Sequence, residues 1–188
     1  MSHEGHHVVA LVGSLRAGSM HRVLFNAAVE LAPPGMIITE SPAIGDLPHY
    51  NADIDLDPYP APVLALDAAL HAADGVLFIS PEYNYSVPGV LKNAIDWASR
   101  ARPKSALRRK PSAVMGGSIG ISGSMRMQYH LRQMLVFNDS PAMVQPEVIL
   151  PKMQDRIVDG RLSDAPTREL VAKHLAAFDQ WIARFKTP

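Results

Sequence analysis

The sequence predicts an α/β fold of three αβα layers, in which helices cover both faces of a doubly wound, five-stranded parallel sheet with strand order 2-1-3-4-5. Three observations predict it. Short apolar runs of strand length recur along the 188 residues. Stretches with helical spacing of apolar residues separate them. Loops rich in glycine, proline and polar residues follow the first, third and fourth runs. Because parallel neighbours need crossover connections, this alternation favours a parallel sheet with helices on both faces.

The first part of the chain contains two strands and a helix before a long excursion. Residues 8–12 form an apolar, β-branched run that ends at a glycine, as expected of a strand buried on both faces. Ser19 can cap the next helix, which the Pro-Pro-Gly sequence at 33–35 ends. A short second strand covers 36–39. The segment 44–60 is long, acidic and proline-bearing, so we expect it to lie beyond the sheet edge and to border a site.

The rest of the chain repeats the alternation and closes with an amphipathic helix. The predicted elements are, in order, a helix over 62–73, the third strand over 75–80, a helix with an apolar stripe from Val87 to Ala98, a basic connector over 100–110, the fourth strand over 112–115, a helix around 125–136, the fifth strand over 146–150 and a closing helix around 170–185.

Composition and charge exclude several classes of function. Lysine plus arginine and aspartate plus glutamate number 18 each, so a nucleic-acid partner is not expected. The absence of cysteine excludes thiol catalysis, disulfides and cysteine-bound metal centres within the chain. No apolar stretch approaches the ~20 residues that span a bilayer, so no membrane partner is expected. The polar start does not resemble a signal peptide, which predicts a cytoplasmic location.

We expect a disordered tail over residues 1–7 and one domain over residues 8–188. The tail holds His3, His6 and His7, which are potential metal ligands. A frayed terminus is the favoured interpretation, and no metal site is assigned.

The first of three unusual loops, residues 13–19, is predicted to bind a phosphate. It combines the hydroxyls of Ser14 and Ser19 with Arg16 at the start of a helix, where free amide groups and the helix dipole attract an anion. The loop lacks the lysine of a Walker loop and the glycine spacing of a dinucleotide-binding fingerprint. From this loop alone, a helix cap beside a solvated arginine stays an open alternative.

The second loop, residues 81–89, is predicted to hold a flat heterocycle. Two prolines, two tyrosines and Asn84 directly follow a buried strand, and a rigid bend can match the polar edge of an isoalloxazine while tyrosines cover its faces. Glu82 is a candidate catalytic base. Because hydride transfer to a flavin needs no base, a structural or exposed carboxylate is the favoured interpretation.

The third loop, residues 116–123, is rich in glycine. Gly116, Gly117 and Ser118 are expected to let the backbone approach a ligand closely, and Gly120 and Gly123 extend that freedom. Amide groups here, near the start of the next helix, can stabilise negative charge on a reduced flavin.

The three loops extend into longer motifs: Gly13-Ser14-Leu15-Arg16 with Ser19; Pro81-Glu82-Tyr83-Asn84 continuing through Ser86, Pro88, Gly89, Leu91, Lys92, Asn93, Ala94, Asp96 and Trp97; and Gly117, Gly120, Gly123, Arg126 and Gln128 with Tyr129-His130-Leu131-Arg132-Gln133. Together they span most of residues 8–150 and resemble the NADPH-dependent FMN reductase family, which includes chromate, quinone and azo-dye reductases of flavodoxin-like fold. The second motif is the most specific of the three.

The resemblance implies a set of FMN contacts and no conventional acid-base pair. Tyr83 and Tyr85 are expected to shape the acceptor pocket. The implied cofactor contacts are Ser14, Arg16 and Ser19 for the FMN phosphate, Pro81, Glu82, Tyr83 and Asn84 for the isoalloxazine, and Gly117 with Ser118 for its pyrimidine side.

One position departs from the family pattern. Relatives usually carry asparagine where this chain has His21. His21 can donate to the phosphate, which would make FMN affinity depend on pH. A surface histidine on the first turn of the helix is an equally open interpretation.

The implied activity is ping-pong transfer of hydride from NADPH or NADH through FMN N5 to a small-molecule acceptor, which can be quinone-like, an azo compound, a free flavin or a metal oxyanion. Relatives are generally oligomers, so a homodimer or homotetramer is expected. A solvated connector is the favoured interpretation of a basic cluster that could instead recognise the extra phosphate of NADPH; its members are Arg100, Arg102, Lys104, Arg108, Arg109 and Lys110.

Two alternatives belong to other functional classes. A flavodoxin-type electron carrier is disfavoured because such carriers present an acidic docking surface, whereas this chain is neutral. A non-catalytic interaction module that keeps the fold without flavin has only the departure at His21 in its favour.

Overall fold

The computed structural model describes residues 5–100 and 104–186. Within these ranges the main sheet has five parallel strands in the order β2-β1-β3-β4-β5, which confirms the predicted topology. The strands are β1 (His7–Val12), β2 (Ile37–Glu40), β3 (Gly75–Ile79), β4 (Ser112–Gly117) and β5 (Val148–Leu150).

Helices cover both faces of the sheet and define its two hydrophobic cores. Side chains alternate along each central strand, so Val9 and Leu11 enter one core while Val8 and Ala10 enter the other. One face packs against α1 and α5 and the opposite face against α2, α3 and α4. The helices are α1 (Met20–Glu30), α2 (Ala61–Ala72), α3 (Gly89–Ala98), α4 (Met125–Phe137) and α5 (Ala165–Ala183).

The N-terminal boundary lies earlier than the sequence predicts. Strand β1 begins at His7, and the buried His6 places its Nδ1 atom 2.7 Å from a carboxylate oxygen of Asp179 on α5. The expected disordered tail over residues 1–7 is therefore wrong for its last two residues. The contact with the closing helix holds His6, and His7 pairs with Ile37 of β2 and donates its amide to Asp74. Residues 1–4, including His3, lie outside the described ranges.

Two further features near the end of the chain were not predicted. A small antiparallel hairpin forms from β6 (Ile157–Val158) and β7 (Arg161–Leu162), between β5 and the closing helix. Helix α5 begins at Ala165, earlier than its apolar stripe indicates, because the Asp164 side chain accepts a hydrogen bond from the Thr167 amide.

The excursion after β2 is anchored to α3. It contains short 3-10 turns at Ile44–Asp46 and Ala52–Ile54. The buried Trp97 donates from Nε1 to the Pro48 carbonyl at 2.8 Å and packs edge-on against Tyr50 with ring centroids 5.0 Å apart. This anchoring fixes the middle of the excursion against α3.

The described part of the basic connector lies at the other end of the sheet. Residues 104–110 lead into the first residue of β4, and parallel strands share their amino ends at one edge. Within one chain, Arg108, Arg109 and Lys110 are therefore remote from the loops that follow the strands. Arg108 and Arg109 are exposed, which favours the solvated-connector interpretation for them. Lys110 instead donates to the carbonyls of His71 and Ala73 at the end of α2, and Arg100 stacks on the Tyr50 ring. Arg102 lies outside the described residues. In the ranges 5–100 and 104–186, no helix is long and apolar enough to cross a membrane.

Candidate active site

A cleft of about 330 Å³ opens where the loops after β1, β3 and β4 meet. This is the point at which the winding of the sheet reverses, since the chain leaves β1 for one face and β3 for the other. Nine of the ten sequence-predicted cofactor contacts line the cleft: Ser14, Arg16, Ser19, His21, Pro81, Glu82, Tyr83, Gly117 and Ser118. Met20 and Ile119 line it as well and were not predicted.

The first loop forms a cationic end of the cleft at the start of α1. Ser19 is the N-cap of this helix, and its Oγ accepts a hydrogen bond from the His21 amide at 3.2 Å. The first turn of α1 contains no acidic residue, so the positive end of the helix dipole is not neutralised by the helix itself. The Arg16 guanidinium adds a full charge at the same place. This end is suited to bind an anion.

Residues 41–44, which lead into the excursion, border the other side of the same loop. A smaller recess of about 160 Å³ lies between residues 14–17 and residues 41–44, with Arg22 and Glu40 also in its wall. Arg22 and Glu40 form an ion pair across it. The loop over residues 13–19 therefore has residues 41–44 beside it on this side and is not exposed on both sides.

His21 turns into the protein rather than out toward solvent. Only 3% of the residue is exposed, and its Nε2 atom lies 3.1 Å from the carbonyl oxygen and 3.3 Å from the amide nitrogen of Gly117 on β4. Burial, with a smaller contribution from the positive charge of Arg16, lowers the pKa of His21 to about 4, against opposing hydrogen bonds to the backbone of Gly117 and Ser80. The ring is therefore uncharged at neutral pH, and its close partner is Gly117.

The second loop is a tight turn that presents two tyrosines. Tyr83 and Ser86 exchange backbone hydrogen bonds of 3.0 and 2.9 Å, and both central residues, Asn84 and Tyr85, have positive φ values of 51° and 65°. These are the features of a type I′ turn, in which asparagine is favoured at a left-handed position. Asn84 lies at the tip of this turn and is not among the cleft-lining residues, so its visible role is conformational.

The Glu82 carboxylate is used to hold the start of α4. Its Oε2 accepts from the amides of Arg126 and Met127 at 2.9 and 3.2 Å, and its Oε1 accepts from the Arg126 guanidinium at 3.0 Å. Ser124, the N-cap residue of α4, makes no side-chain capping bond. Glu82 thus caps a helix from 44 residues away, which agrees with the structural interpretation favoured from sequence.

Two further contacts fix the tyrosine turn on α4. The Arg126 guanidinium carbon lies 4.0 Å from the centre of the Tyr85 ring, and Ser86 Oγ lies 2.7 Å from His130 Nδ1. Arg126 and His130 belong to the third motif, but no role was predicted for them. Their spacing of four residues, which places both on one face of a helix, is the sequence feature that could have suggested a shared partner.

The glycines at the end of β4 are required by the protein's own packing. A Cβ atom on Gly116 would lie 2.2 Å from the Ser80 carbonyl oxygen, and one on Gly117 would lie 2.6 Å from Met153 Sδ and 3.0 Å from Leu150. Both residues are part of β4 rather than of the following loop. Contacts within the fold therefore require glycine at these two positions, and the expectation that their backbone approaches a ligand stays a prediction.

The chemistry of the cleft fits a mononucleotide that carries a flat ring. Its cationic end, with two serine hydroxyls, matches a phosphate. Its other end has the rigid Pro81 backbone, a half-exposed Tyr83, and Ile119, an apolar residue that is 70% exposed at the cleft. An apolar side chain left in solvent beside polar loop residues is what a flat aromatic ligand would cover.

Comparisons with known proteins agree with this geometry. The chain is 44% identical over 180 residues to an NAD(P)H-dependent FMN reductase of Pseudomonas aeruginosa, covering 95% of this chain and 96% of that protein. It is 42% identical over 182 residues to a quinone reductase of Escherichia coli K12, again covering 95% and 96%. Among solved structures, the flavoenzyme NAD(P)H:(acceptor) oxidoreductase FerB of Paracoccus denitrificans superposes with a TM-score of 0.87 at 36% identity, covering 96% of this chain and 98% of that one.

The model of one family also matches most of the chain. Residues 6–155 match the NADPH-dependent FMN reductase family, whose members are oxidoreductases that use FMN and NAD(P)H. With relatives above 40% identity over nearly their full length, the chain belongs to the NADPH-dependent FMN reductase family of flavodoxin-like fold.

Proposed function

We propose that this protein is an NAD(P)H-dependent quinone reductase that holds FMN in the cleft between the three loops and works by a ping-pong mechanism. The observation that carries the proposal is the convergence of nine sequence-predicted contacts, from three separate loops, on one cleft at the carboxyl ends of the strands. Family membership and two relatives named quinone reductase, or reductase of a benzoquinone, support the acceptor class.

The first loop is assigned to the phosphate. Arg16, the hydroxyls of Ser14 and Ser19 and the first turn of α1 present positive charge and hydrogen-bond donors at one end of the cleft. Charge-assisted hydrogen bonds to a phosphate are among the stronger polar interactions in proteins. This end therefore supplies binding energy and fixes the direction in which the cofactor lies.

The second and third loops are assigned to the ring. The backbone of residues 81–83 and of Gly117–Ser118 can meet the polar edge of an isoalloxazine. The amides of Arg126 and Met127 at the start of α4 already donate to Glu82, so the stabilisation of negative charge expected from the sequence is not assigned to them. When bound, FMN supplies the redox chemistry, because its N5 atom accepts hydride from NAD(P)H and the reduced ring then passes electrons to the acceptor. The protein's own contribution is to bind, orient and exclude water.

The tyrosine turn is assigned to the acceptor side. Tyr83 is 50% exposed and Tyr85 is 68% exposed; Arg126 on α4 stacks on the Tyr85 ring, and Tyr83 is held through its backbone hydrogen bonds to Ser86. Exposed aromatic faces on a rigid turn suit planar acceptors such as quinones and do not discriminate strongly among them. Azo compounds, free flavins and metal oxyanions are accordingly further candidate acceptors.

No residue of the cleft is assigned as a general acid or base. The Glu82 carboxylate is engaged by α4, and His21 is uncharged and engaged by Gly117. Hydride transfer between two stacked rings needs orientation more than proton transfer.

We also propose that the protein is a homodimer or homotetramer. A groove of about 550 Å³ near the end of α4 is lined in part by Val136 and Val144, and the adjacent Phe137 is 82% exposed. Clusters of exposed apolar side chains are typical of surfaces that a partner covers. Light scattering on the purified protein and on a Phe137→Ser variant tests this; a wild-type mass of one chain would contradict it.

Steady-state kinetics test the proposed activity. Purified protein supplied with FMN, NADPH or NADH and a benzoquinone should oxidise the nicotinamide without any partner reductase, and double-reciprocal plots at several quinone concentrations should be parallel. Intersecting lines would contradict the ping-pong mechanism. Nicotinamide oxidation that requires a second protein would instead favour an electron carrier.

A further inference from the structure

The side chain of His21 bridges the two ends of the cleft, and its role deepens the function proposed above, on which the inference rests. Its main chain belongs to the first turn of α1, where its amide donates to Ser19 Oγ at the phosphate end. Its side chain reaches across to Gly117 at the end of β4. Residues 21 and 117 are 96 positions apart in the sequence.

The His21 ring lies beside the end of β4, at a position that the shorter strand β3 does not reach. The β3–β4 ladder ends with the pair Ile79 and Met115, after which the Ser80 amide donates to the Met115 carbonyl at 3.1 Å. The chain then turns away at Pro81, which has no amide to donate. In a ladder, the backbone groups of every second residue point toward the same neighbouring strand. The amide and carbonyl of Gly117, two residues beyond Met115, therefore point to the β3 side of β4, where no strand lies beside them.

His21 Nε2 meets both backbone groups of Gly117. It lies 3.1 Å from the carbonyl oxygen and 3.3 Å from the amide nitrogen, and the residue is buried. A single imidazole nitrogen either donates to the carbonyl or accepts from the amide, depending on the tautomer. In both tautomers the ring supplies the partner on the β3 side of Gly117, whose other side is paired with Leu150 of β5.

The same observations argue against a direct role in phosphate binding. The ring is uncharged at neutral pH because burial lowers the pKa of His21 to about 4. The charged group that faces it is Arg16, which disfavours protonation, while the Glu82 carboxylate in the same cleft is bound to Arg126. Its Nε2 atom is already committed to Gly117.

We propose that His21 is a positioning residue for the ring end of the cleft: it fixes the Gly117 backbone against the isoalloxazine although it stands on the phosphate-binding helix. His21 thus couples the two ends of the site.

Two substitutions of His21 distinguish the role of Nε2 from that of Nδ1. Glutamine extends far enough to place an amide nitrogen near the position of Nε2, so His21→Gln keeps a donor for the Gly117 carbonyl. Asparagine reaches only the position of Nδ1, so His21→Asn loses that contact. Arg16→Ala serves as the matched variant that acts on the phosphate.

The test uses the two halves of FMN as separate probes. Riboflavin has the ring without the phosphate, and inorganic phosphate competes with FMN at the other end. We expect His21→Asn to raise the Kd of FMN and of riboflavin by the same factor, about fivefold for one lost hydrogen bond, and to leave competition by inorganic phosphate unchanged. His21→Gln should restore both affinities, and Arg16→Ala should weaken FMN and phosphate but not riboflavin.

The proposal is overturned if His21→Asn weakens phosphate competition, or if it leaves both flavin affinities unchanged. A measurement on the unaltered apoprotein adds a test that needs neither ligand nor variant. The ¹⁵N spectrum of the His21 imidazole at neutral pH should show an uncharged ring whose Nε2 is hydrogen-bonded, in either tautomer, and a protonated ring or an Nε2 without a hydrogen bond would contradict the contact with Gly117. A hydrogen-bonded Nε2 in a chain that binds no flavin would refute the proposed function while leaving the contact itself established.

Discussion

Glu82 illustrates at the scale of a single residue how partners determine the role of a carboxylate. A glutamate in a loop beside a redox site has the chemistry of a general base. Here only 7% of its side chain is exposed, and its two oxygens are bound by Arg126 and by two amides at the start of α4. A carboxylate at a helix N-terminus stabilises the helix through these bonds and through the dipole.

We expect Glu82→Ala to lower the free energy of unfolding by about 1–3 kcal/mol, because it removes a helix cap and a partly buried ion pair. Urea unfolding of the apoprotein measures this. Glu82→Gln keeps one acceptor oxygen, so it should unfold at a denaturant concentration between those of the other two proteins and turn over at close to the wild-type rate. A fall in kcat of a hundredfold or more in Glu82→Gln, with stability kept, would show that the carboxylate transfers a proton instead.

Which residues gather at the site could be predicted from the sequence, but their individual contacts could not. Ser14, Arg16 and Ser19 follow a strand and precede a helix, and this local pattern is sufficient to place them at the carboxyl edge of the sheet. The partner of Glu82 lies 44 positions away and that of His21 lies 96 positions away. Such contacts depend on how separate segments pack, which a local sequence pattern does not specify.

At the scale of secondary-structure elements, the end of β4 and the turn after β3 are packed against each other without room for a side chain. Gly116 faces the carbonyl of Ser80, and Ser124 Oγ lies on the same side. This contact lets the second and third loops approach each other and form one cleft. Glycine is needed here for space, since Gly116 has no positive φ in this structure.

We predict that Gly116→Ala destabilises the protein by about 1–3 kcal/mol through overpacking, because its Cβ would lie 2.2 Å from the Ser80 carbonyl oxygen. Gly120→Ala is the matched control in the same loop, since its Cβ would meet only Ser118 Oγ at 3.9 Å. Thermal unfolding of the two variants should separate them clearly. Equal melting temperatures for both variants would contradict this account of the packing.

Element types follow from the sequence where apolar periodicity is strong, and the boundaries follow less well. The buried strands β1 and β3 and the stripe of α3 were predicted within one or two residues. The hairpin of β6 and β7 has two residues per strand, which is too short for any period to appear. Its position between a strand and a helix is fixed by packing on α1, where Leu162 is buried.

At the scale of the whole molecule, two buried uncharged histidines link stability to pH. His174 on α5 is fully buried and places Nδ1 2.7 Å from the Pro146 carbonyl, and burial lowers its pKa to about 4, as it does for His21. The nearby charge of Arg132 contributes to this lowering of the His174 pKa, and the hydrogen bond to Pro146 opposes it. In the unfolded chain a histidine binds a proton near pH 6.5.

The folded protein should therefore lose stability as pH falls from 6.5 toward 4, because the two histidines become protonated in the unfolded chain but stay unprotonated in the folded protein. Between pH 7 and pH 4.5, each histidine should lower the free energy of unfolding by roughly 2 kcal/mol. Urea unfolding across this range should show a shallower decline in His174→Asn, which keeps a polar group near Nδ1 but cannot titrate. Parallel stability profiles for wild type and variant would contradict the buried uncharged state.

The whole-molecule topology was the most predictable feature. Alternating strands and helices leave few ways to build a parallel sheet, and the reversal point between β1 and β3 then places the ligand. The same topology places the basic connector away from the ligand. Its residues 104–110 precede β4 and so lie at the amino edge of the sheet, opposite the cleft.

The central claim, that the three loops form one FMN site, is tested most directly by titrating apoprotein with FMN and following flavin fluorescence and absorbance. One FMN should bind per chain, and Arg16→Ala should weaken binding by about 10- to 100-fold, the cost of a charged hydrogen bond. Arg108→Ala, at the far edge of the sheet, should bind like wild type. A folded protein that takes up no FMN, or that binds it equally well without Arg16, would contradict the account.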